Sequence, residues 1–338
     1  MKKILLIQLR RLGDVLLTTP IIDILKEKYP DARIDFLVET AYKDAVTDNP
    51  KLTNVFLLNK HSFLSQIKTI RLLRKQKYDY CLDFFCNPRS AWITFLSGAK
   101  QRLGFDYKGR KFLYNNVVKR DASPKYNTSF KLDLLKAMNI ESKYITTSIY
   151  VKDEIKFQIK NFLKKNGWKD GERLIGLVSP NVRDVSKIKN WRMEGYSKLA
   201  ERIICDMKAK VVILWGLSEQ EEASKLYRMI NKPHDTILTP MFDVKELAGL
   251  ISYCNAVVTG CSGPKHIAVA LGVPTVTIFG PTQEMSWNPP MHKHIAVKAE
   301  KLICIGCDKI YCETMDCMKL VTVDMVYDAL QKALEENS

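Results

Sequence analysis

Short runs rich in Leu, Ile and Val alternate with helix-length segments along most of this chain. Runs of this kind are typical of buried strands, and their alternation with helices indicates parallel sheets that are covered on both faces. We therefore predict an α/β fold, and 338 residues leave room for two domains of ordinary size. The predicted strands are residues 3–9, 34–38, 55–58, 78–84, 174–179, 211–215, 256–259 and 275–279.

The domain junction is predicted between residues 150 and 172. An amphipathic helix there ends at Asn166-Gly167, and a polar loop follows it. We assign residues 1–160 to the first domain and residues 161–338 to the second. Two open parallel sheets in series leave a cleft in which ligands of such folds bind, so the loops at the strand ends are expected to carry the chemistry.

The sequence predicts a helix directly after the first strand and another at the end of the chain. Residues 15–29 are predicted to form one helix with Pro20 inside it. Residues 323–336 read as a terminal helix that is capped by Thr322 or Asp324. This terminal helix belongs to the second domain and is long enough to pack back on the first.

Positive charge is concentrated in the first half of the sequence. The net charge is +16, and residues 1–165 hold 32 Lys and Arg against 16 Asp and Glu, whereas the remainder holds 21 of each. A half that meets phosphates, anionic lipid or nucleic acid benefits from this asymmetry, although a generally lysine-rich proteome would also explain it.

No apolar run reaches the roughly 18–20 residues of a membrane helix, and no signal peptide is recognisable. We expect a cytoplasmic protein.

The sharpest local signal is the segment TGCSGPKHIAVALGVP, residues 259–274, between two predicted strands. Ser262 and Gly263 fall at a strand-to-helix turn, and Pro264 suits the first helical position. Small residues and a helix N-terminus favour a diphosphate, to which His266 could add a hydrogen bond. The alternative is a tight turn that serves only the fold, with His266 solvated.

Two further loops of the second half follow predicted strands. In SPNVRDVSKIKNW, residues 179–191, cations including Lys189 are suited to neutralise the charge of a departing phosphate, with Ser186 nearby. After residue 215, Gly216 precedes Ser-Glu-Gln-Glu, whose acceptor side chains suit ribose hydroxyls. Solvated charges and an ordinary helix start remain the alternatives for both loops.

In the first half, Asp14 is the only carboxylate of the first strand-to-helix loop. Arg10 and Arg11 precede it, and we expect these cations to keep it ionised. An ionised aspartate that faces a cleft can act as a general base toward a hydroxyl group. The alternative is that Asp14 caps the helix that follows.

These segments together resemble glycosyltransferase family 9, the ADP-heptose:lipopolysaccharide heptosyltransferases. KILLIQLRRLGDVLLTTPII resembles the N-terminal block of the family, and TGCSGPKHIAVALGVPTVTIFGPT resembles its most diagnostic block. LDFFCNPRSAWITFLSGAKQRLGF and KNW resemble a middle block and the donor-loop motif. The resemblance implies a GT-B fold, with two Rossmann-like domains facing each other across a cleft, and inverting transfer without a metal or another cofactor.

The resemblance also implies roles for individual residues. Asp14 matches the general base, and Lys189 matches the lysine that stabilises the leaving diphosphate. The expected donor-binding residues are Ser186, Gly216, Gln220, Phe242, Cys261, Ser262, Gly263 and His266. Of these, Gln220 corresponds loosely to a ribose-binding acid and Phe242 loosely to an apolar side chain against adenine.

An anionic acceptor is implied in the same way. The inner core of lipopolysaccharide fits both the family and the charge distribution, and Arg10, Arg11, Arg89 and Arg102 are the candidate contacts. The implied partners are a nucleotide sugar, most simply ADP-linked, and an anionic glycolipid, without nucleic acid. We expect a monomer that makes peripheral contact with the cytoplasmic face of the inner membrane.

One residue departs from the family pattern. Cys261 stands where the family usually has an Asp that binds hydroxyl groups of the donor sugar. A thiol is a poor acceptor and is uncharged at neutral pH, so a bidentate sugar contact is lost. Three readings stay open: another or less demanding donor sugar, reduced activity, or a non-catalytic member that serves as a binding module.

The nine cysteines fall into two groups. Five lie in or beside apolar runs and are expected to behave as small hydrophobic residues with reduced thiols: Cys81, Cys86, Cys205, Cys254 and Cys261. The other four have the spacing C-x2-C-x4-C-x4-C: Cys304, Cys307, Cys312 and Cys317. We expect a structural cluster without a metal, with bound zinc and disulfides as the alternatives.

The helix predicted over residues 61–77 has two interpretations. Phe63, Ile67, Ile70 and Leu73 recur at helical spacing among lysines and arginines. A surface helix of this kind rests on anionic lipid, whereas an ordinary helix buries the stripe in the core. A nucleic-acid-binding protein is a third class suggested by the basic composition, but the aromatic and basic residues are not interleaved as a stacking platform requires.

Overall fold

The computed structural model describes residues 1–107, 109–119, 123–180, 188–216 and 218–336. The chain divides into two compact units, Met1–Tyr150 and Val151–Ser338. Each unit is built on one six-stranded sheet, and every strand pair in both sheets is parallel. The expected boundary at 160/161 falls inside the helix Asp153–Lys165.

The first unit has the strand order β3-β2-β1-β4-β5-β6. Its strands are β1 (Lys3–Ile7), β2 (Arg33–Glu39), β3 (Asn54–Leu58), β4 (Tyr80–Asp83), β5 (Gln101–Phe105) and β6 (Asn116–Val118). Its helices are α1 (Leu12–Leu16), α2 (Thr19–Lys28), α3 (Phe63–Lys75), α4 (Pro88–Leu96) and α5 (Asn127–Lys136), with 3₁₀ turns at Thr40–Ala45 and Lys111–Leu113.

The second unit has the strand order β12-β11-β10-β7-β8-β9. Its strands are β7 (Leu174–Val178), β8 (Lys210–Leu214), β9 (Thr236–Leu238), β10 (Ala256–Gly260), β11 (Thr275–Ile278) and β12 (His294–Val297). Its helices are α6 (Asp153–Lys165), α7 (Met193–Met207), α8 (Gln220–Met229), α9 (Val244–Ile251), α10 (Gly263–Ala270), α11 (Glu284–Trp287), α12 (Asp316–Lys319) and α13 (Val323–Glu335).

The eight predicted strands are confirmed: seven lie inside the two sheets, and β3 lies at an edge of the first sheet. Four strands were not predicted: β5, β6, β9 and β12. β6 and β9 are three-residue strands at sheet edges, where little apolar sequence is needed. β5 opens with Gln101 and Arg102, and β12 opens with a buried histidine, so neither shows a continuous apolar run.

The single helix predicted over residues 15–29 is two helices. α1 ends at Leu16 and α2 begins at Thr19, with Pro20 in its first turn. Proline has no backbone N–H to donate to the preceding turn, and its ring clashes with that turn, so it starts a helix more readily than it continues one. The break makes α1 a short, separate element directly after β1.

The strand orders place a topological switch point in each unit. In the first sheet the chain runs from β1 outward to β3 and then returns to β4, which lies on the other side of β1. In the second sheet it runs from β7 to β9 and returns to β10 beside β7. Ligands of open parallel sheets bind outside the carboxyl ends of the strands at such points.

The terminal helix α13 is capped by Thr322, which is one of the two caps predicted. The hydroxyl oxygen of Thr322 accepts a hydrogen bond from the backbone N–H of Met325 at 3.3 Å. The helix packs against β10, β11, β12 and α7 of its own unit. Among the helices in the described part of the chain, none is long and apolar enough to cross a membrane.

The buried cysteines are part of the cores. Cys81, Cys86 and Cys254 are buried, as expected. Cys205 is exposed, and the expectation that it behaves as a small hydrophobic residue is wrong. Its neighbours Ile203 and Ile204 take the buried side of α7, which turns the next position toward solvent.

Candidate active site

The loop after β1 is held by a buried amide and a buried lysine. Nε2 of Gln8 donates to the backbone oxygen of Arg10 at 2.7 Å, and Oε1 of Gln8 accepts a hydrogen bond from Nζ of Lys131 at 2.8 Å. Both Gln8 and Lys131 are buried. These two bonds fix the backbone at the carboxyl end of β1, directly before the helix that carries the predicted acid.

Asp14 lies in the first turn of α1, whose N-cap is Arg11. The alternative in which Asp14 caps this helix is therefore wrong. The Asp14 side chain is half-buried. Burial raises the pKa of Asp14 above its ordinary value, while Lys131 and then Arg11 act in the opposite direction. A carboxylate with a raised pKa is a stronger base than a solvated aspartate.

Lys131 is a site residue that the sequence analysis missed. Burial lowers its pKa to about 8, and the negative charges that Asp14, Cys86 and Asp83 carry when ionised only partly oppose this effect. A signal was present in the sequence, because Thr128, Lys131 and Leu135 are spaced on one side of α5 and all three are buried. A lysine on a buried helical side requires a polar partner, which Gln8 provides.

A fully buried carboxylate, Asp83, ends β4, the strand across the switch point. Asp83 accepts hydrogen bonds from the hydroxyl group of Tyr114 at 2.8 Å and from the backbone N–H groups of Phe85 at 3.0 Å and Cys86 at 2.9 Å. Burial raises the pKa of Asp83 and these donors lower it. With its oxygens engaged by the protein, Asp83 orders the loop after β4.

The four arginines proposed as acceptor contacts have different surroundings. Arg10 and Arg11 are exposed beside the β1 loop. A guanidinium nitrogen of Arg89 lies 3.9 Å from a carboxylate oxygen of the buried Glu39. Two nitrogens of Arg102 donate to backbone carbonyl oxygens at 3.1 Å, so part of its hydrogen-bonding capacity is used within the fold.

At the switch point of the second sheet, α10 begins directly after β10. Ser262 is its N-cap residue, Gly263 is its first residue, and the Ser262 side chain makes no capping hydrogen bond. The hydroxyl groups of Ser262 and Thr259 lie 3.1 Å apart. A helix N-terminus that carries small residues and no side-chain cap suits a phosphate group, which its N–H groups and dipole attract.

Lys189 lies at the same edge of the sheet. Its backbone oxygen is 3.6 Å from the position that a Cβ atom on Gly260 would take. Burial raises the pKa of the Cys261 thiol, and Lys265 and Lys189 act against that rise. The thiol is therefore neutral at pH 7, with two lysine charges near it. Ser186 lies outside the described residues.

Lys265 is a second buried lysine that the sequence analysis did not single out. It is 0% exposed, and its Nζ donates to the backbone oxygen of Trp287. The same nitrogen lies 5.3 Å from the centre of the Phe279 ring. Burial lowers its pKa to about 8. The N-terminal turn of α10 thus adds a buried cation to the site, one that is still charged at pH 7.

His266 is buried, so the alternative of a solvated histidine is wrong. Its ring packs edge-on against Trp287, with 5.8 Å between the ring centres. Burial, together with the neighbouring charge of Lys265, lowers the pKa of His266 well below its ordinary value. A neutral imidazole can donate one hydrogen bond and accept another but carries no charge for a phosphate.

The loop after β8 has its buried acid one residue earlier than expected. Glu219 is buried, and its carboxylate accepts a hydrogen bond from the backbone N–H of Gly216 at 2.8 Å. Gln220 is exposed as the first residue of α8. Phe242 is half-buried and packs edge-on against Phe162 of α6, with 5.4 Å between ring centres.

The four cysteines of the segment between β12 and α13 are free thiols. Cys317 is buried, whereas Cys304 and Cys307 are exposed. Burial raises the pKa of Cys317, and the negative charges that the other three thiols carry when ionised raise it further. In the described ranges, no three or more His, Cys, Asp or Glu side chains are grouped so that they could hold a metal ion.

Two doubly wound parallel units in one chain, each with polar loops at its switch point, define a Rossmann-like protein of the GT-B class. A family model described as glycosyltransferase family 9 (heptosyltransferase) matches residues 66–316, about three quarters of the chain. The chain belongs to this family and is a glycosyltransferase, which confirms the resemblance noted in its sequence.

Several similar proteins are bacterial heptosyltransferases or glycosyltransferases. The chain is 26% identical over 294 residues to lipopolysaccharide heptosyltransferase 3 of Escherichia coli K12, which covers 82% of each chain. It is 23% identical over 335 residues to lipooligosaccharide heptosyltransferase 2 of Campylobacter jejuni, which covers 96% of each. A putative glycosyltransferase of Haemophilus influenzae is 24% identical over 311 residues, covering 88% of this chain and 89% of the relative.

Solved structures share the fold over the whole length. A family 9 glycosyltransferase from Veillonella parvula has a TM-score of 0.87 at 20% identity, covering 99% of this chain and 97% of that one. The E. coli ADP-heptose lipopolysaccharide heptosyltransferase II has a TM-score of 0.81 at 20% identity, covering 100% and 99%.

Proposed function

We propose that this glycosyltransferase transfers heptose from ADP-heptose to the anionic inner core of lipopolysaccharide, with inversion at the anomeric carbon. The observation that carries the proposal is the second switch point, where the uncapped N-terminus of α10 and Lys189 lie at one edge of the sheet. Relatives named as lipopolysaccharide and lipooligosaccharide heptosyltransferases support this donor and this acceptor.

In this proposal the second unit binds the donor. The first-turn N–H groups of α10 and the hydroxyl group of Ser262 hold the diphosphate, and Lys189 balances the charge that develops on it as the sugar leaves. Glu219 and Gly216 shape the loop that receives the ribose, in place of the exposed Gln220. Ser186 is retained as a phosphate contact from the sequence alone.

The first unit supplies the acceptor side and the base. Asp14 takes the proton of the acceptor hydroxyl group as that oxygen forms a bond to the anomeric carbon. The bond between the anomeric carbon and the phosphate oxygen breaks, and ADP leaves with both electrons of that bond. Arg10, Arg11 and Arg89 attract the anionic acceptor. We propose that no metal takes part, so that excess EDTA leaves the rate unchanged.

A second candidate is a family 9 transferase that uses another nucleotide sugar. The observation that favours it is the neutral thiol of Cys261, which gives the sugar a weak acceptor in surroundings that Lys189 and Lys265 make positive. A sugar that relies less on a carboxylate contact, or one that carries a negative group, fits these surroundings better than a neutral polyol does.

A panel of nucleotide sugars separates the two candidates. Thermal shift measurements report which base and sugar stabilise the protein, and transfer to lipopolysaccharide acceptors with each stabilising donor identifies the substrate. Our proposal predicts the largest shift and transfer with ADP-heptose, and preference for another donor favours the second candidate. Binding of donors without transfer to any acceptor would leave a non-catalytic binding module.

Cys261→Asp provides a matched test of the thiol. The new carboxylate would gain hydroxyl contacts to a neutral sugar, so we expect affinity for ADP-heptose to rise about tenfold relative to affinity for ADP. Cys261→Ser is the control, since it changes size and polarity without adding charge. A weaker affinity in the Asp variant than in the Ser variant would contradict the assignment of position 261 to the sugar site.

A further inference from the structure

One face of the first unit carries three elements in a single layer. The chain moves from β3 to β4, β5 and β6 through α3, α4 and the 3₁₀ turn Lys111–Leu113. Right-handed crossovers that run in one direction along a sheet place their connections on the same face. In agreement with this rule, α3 contacts α4, and α4 contacts the 3₁₀ turn.

The outer side of this layer is unusually apolar for a surface. Phe63 and Leu64 at the start of α3 are 74% and 79% exposed, and Phe112 of the 3₁₀ turn is 66% exposed. Trp92 and Phe95 of α4 are about half exposed. The interpretation of the α3 stripe as core holds for the buried Leu73 and for the half-buried Ile70, which packs against the core, but not for Phe63.

The exposed rings form a group rather than isolated side chains. The ring of Trp92 lies 6.0 Å from that of Phe95 and 6.3 Å from that of Phe112, in both cases edge to face. The guanidinium group of Arg102 lies 5.4 Å from the centre of the Phe95 ring. Rings that pack edge to face on each other do not offer the open faces on which nucleic acid bases stack.

Basic side chains run along the same layer. Apolar and cationic residues share a shallow groove along the outer side of α3, lined by Leu64, Ile67, Lys68, Arg71, Leu72 and Lys75. Residues 49–78, 84–105 and 107–120 contain no Asp or Glu. Of the three acids between these segments, Asp79 pairs with Lys100, Asp83 is buried and Asp106 is exposed. The layer therefore offers cations with little anionic competition.

We propose that this layer, the aromatic–basic face, docks the protein on an anionic phospholipid bilayer. Phe63, Leu64, Trp92 and Phe112 enter the headgroup region, while the cations of α3 lie against lipid phosphates. Exposed apolar rings and cations on one surface combine the two forces that hold an interfacial helix on an anionic membrane. This inference goes beyond the proposed transfer reaction and does not depend on its donor or acceptor.

The test uses the full chain and phospholipid vesicles without donor or glycolipid. Vesicles of phosphatidylethanolamine with one third phosphatidylglycerol should bind the protein in flotation, and phosphatidylcholine vesicles should bind it much less. Raising the salt concentration to about 0.5 M should weaken binding, because the screening length falls well below 10 Å. No binding to the anionic vesicles at low salt overturns the proposal.

Two variants address the two components of the face. Phe63→Ser/Leu64→Ser removes exposed apolar groups, and Lys68→Gln/Arg71→Gln/Lys75→Gln removes three charges; each should raise the lipid concentration for half-binding about tenfold or more. The matched controls are Phe157→Ser, which removes a ring that is 66% exposed on α6, and Lys198→Gln/Lys225→Gln/Lys332→Gln, which removes three exposed charges of the second unit. Equal weakening by the controls would indicate a general attraction of a basic protein and would overturn the assignment to this face.

Discussion

Lys131→Met should make the protein more stable at neutral pH. In the folded chain burial lowers the pKa of Lys131 from 10.5 to about 8, and a change of this size corresponds to about 3 kcal/mol against the charged form. Methionine has a similar length and no charge, so it removes this cost. It leaves Oε1 of Gln8 without its 2.8 Å partner, which costs about 1 kcal/mol. The expected net gain is about 2 kcal/mol.

The pH dependence of this gain follows from the direction of the pKa change. Below pH 8 the lysine is charged in both the folded and the unfolded chain, so the full cost is present. Between about pH 8 and 10.5 the unfolded chain binds the proton more tightly, and the stability of the wild type rises with pH through this side chain. The advantage of the variant should therefore shrink over that window.

The same variant, although more stable, should be less active at low pH. The charge of Lys131 opposes the rise in the pKa of Asp14, so its removal raises that pKa further. The acidic limb of the kcat/KM profile, where Asp14 must lose its proton, should move to higher pH. Stability is measured by urea unfolding at pH 7 and pH 9.5, and activity by initial rates.

Lys43→Met is the control, because Lys43 is an exposed lysine of the same unit. It should change the free energy of unfolding by less than about 0.5 kcal/mol and leave the pH profile in place. A Lys131→Met protein that is less stable than the wild type at pH 7, or a gain that does not depend on pH, would refute the account of Lys131 as a cation held at a cost for the site.

Two further predictions concern the packing around Gly104 and the protonation of His266. In Gly104→Ala the new Cβ would lie 2.5–2.7 Å from the Tyr114 ring, so the ring must move and its bond to Asp83 must lengthen. We expect the free energy of unfolding, measured with urea, to fall by about 2–3 kcal/mol. Tyr114→Phe, which loses only the hydroxyl group, is the control and should lose less. An unchanged free energy of unfolding in Gly104→Ala would contradict the packing. Because burial and then Lys265 lower the pKa of His266, NMR should show an imidazole that is still neutral when the pH falls below the ordinary histidine value of 6.5. A titration midpoint near 6.5 would contradict its burial.

The sequence predicts the framework well because the central strands of parallel sheets are continuous apolar runs. Residues 174–179 and 211–215 are of this kind, and both lie in the second sheet as predicted. Edge strands such as Asn116–Val118 and Thr236–Leu238 need few apolar residues, so periodicity does not separate them from loops.

The site is predicted less completely, since burial of a charged residue depends on tertiary packing. Ser262 and Gly263 follow from local turn chemistry and were found at the start of α10. Lys131 is distant in sequence from Gln8 and Asp14, and its part in the site follows only from the packing of α5. The burial of Lys265 in the same motif does not follow from the sequence either, because a lysine beside a turn usually lies in solvent.

The central claim is that Asp14 accepts the proton of the acceptor hydroxyl group. The most direct measurement compares kcat for transfer with the donor affinity in Asp14→Asn, using Glu27→Gln, an exposed acid on α2, as the charge-matched control. The account predicts that Asp14→Asn lowers kcat about a thousandfold while the donor dissociation constant stays within about twofold, and that Glu27→Gln changes neither. Turnover by Asp14→Asn within about tenfold of the wild type would contradict it.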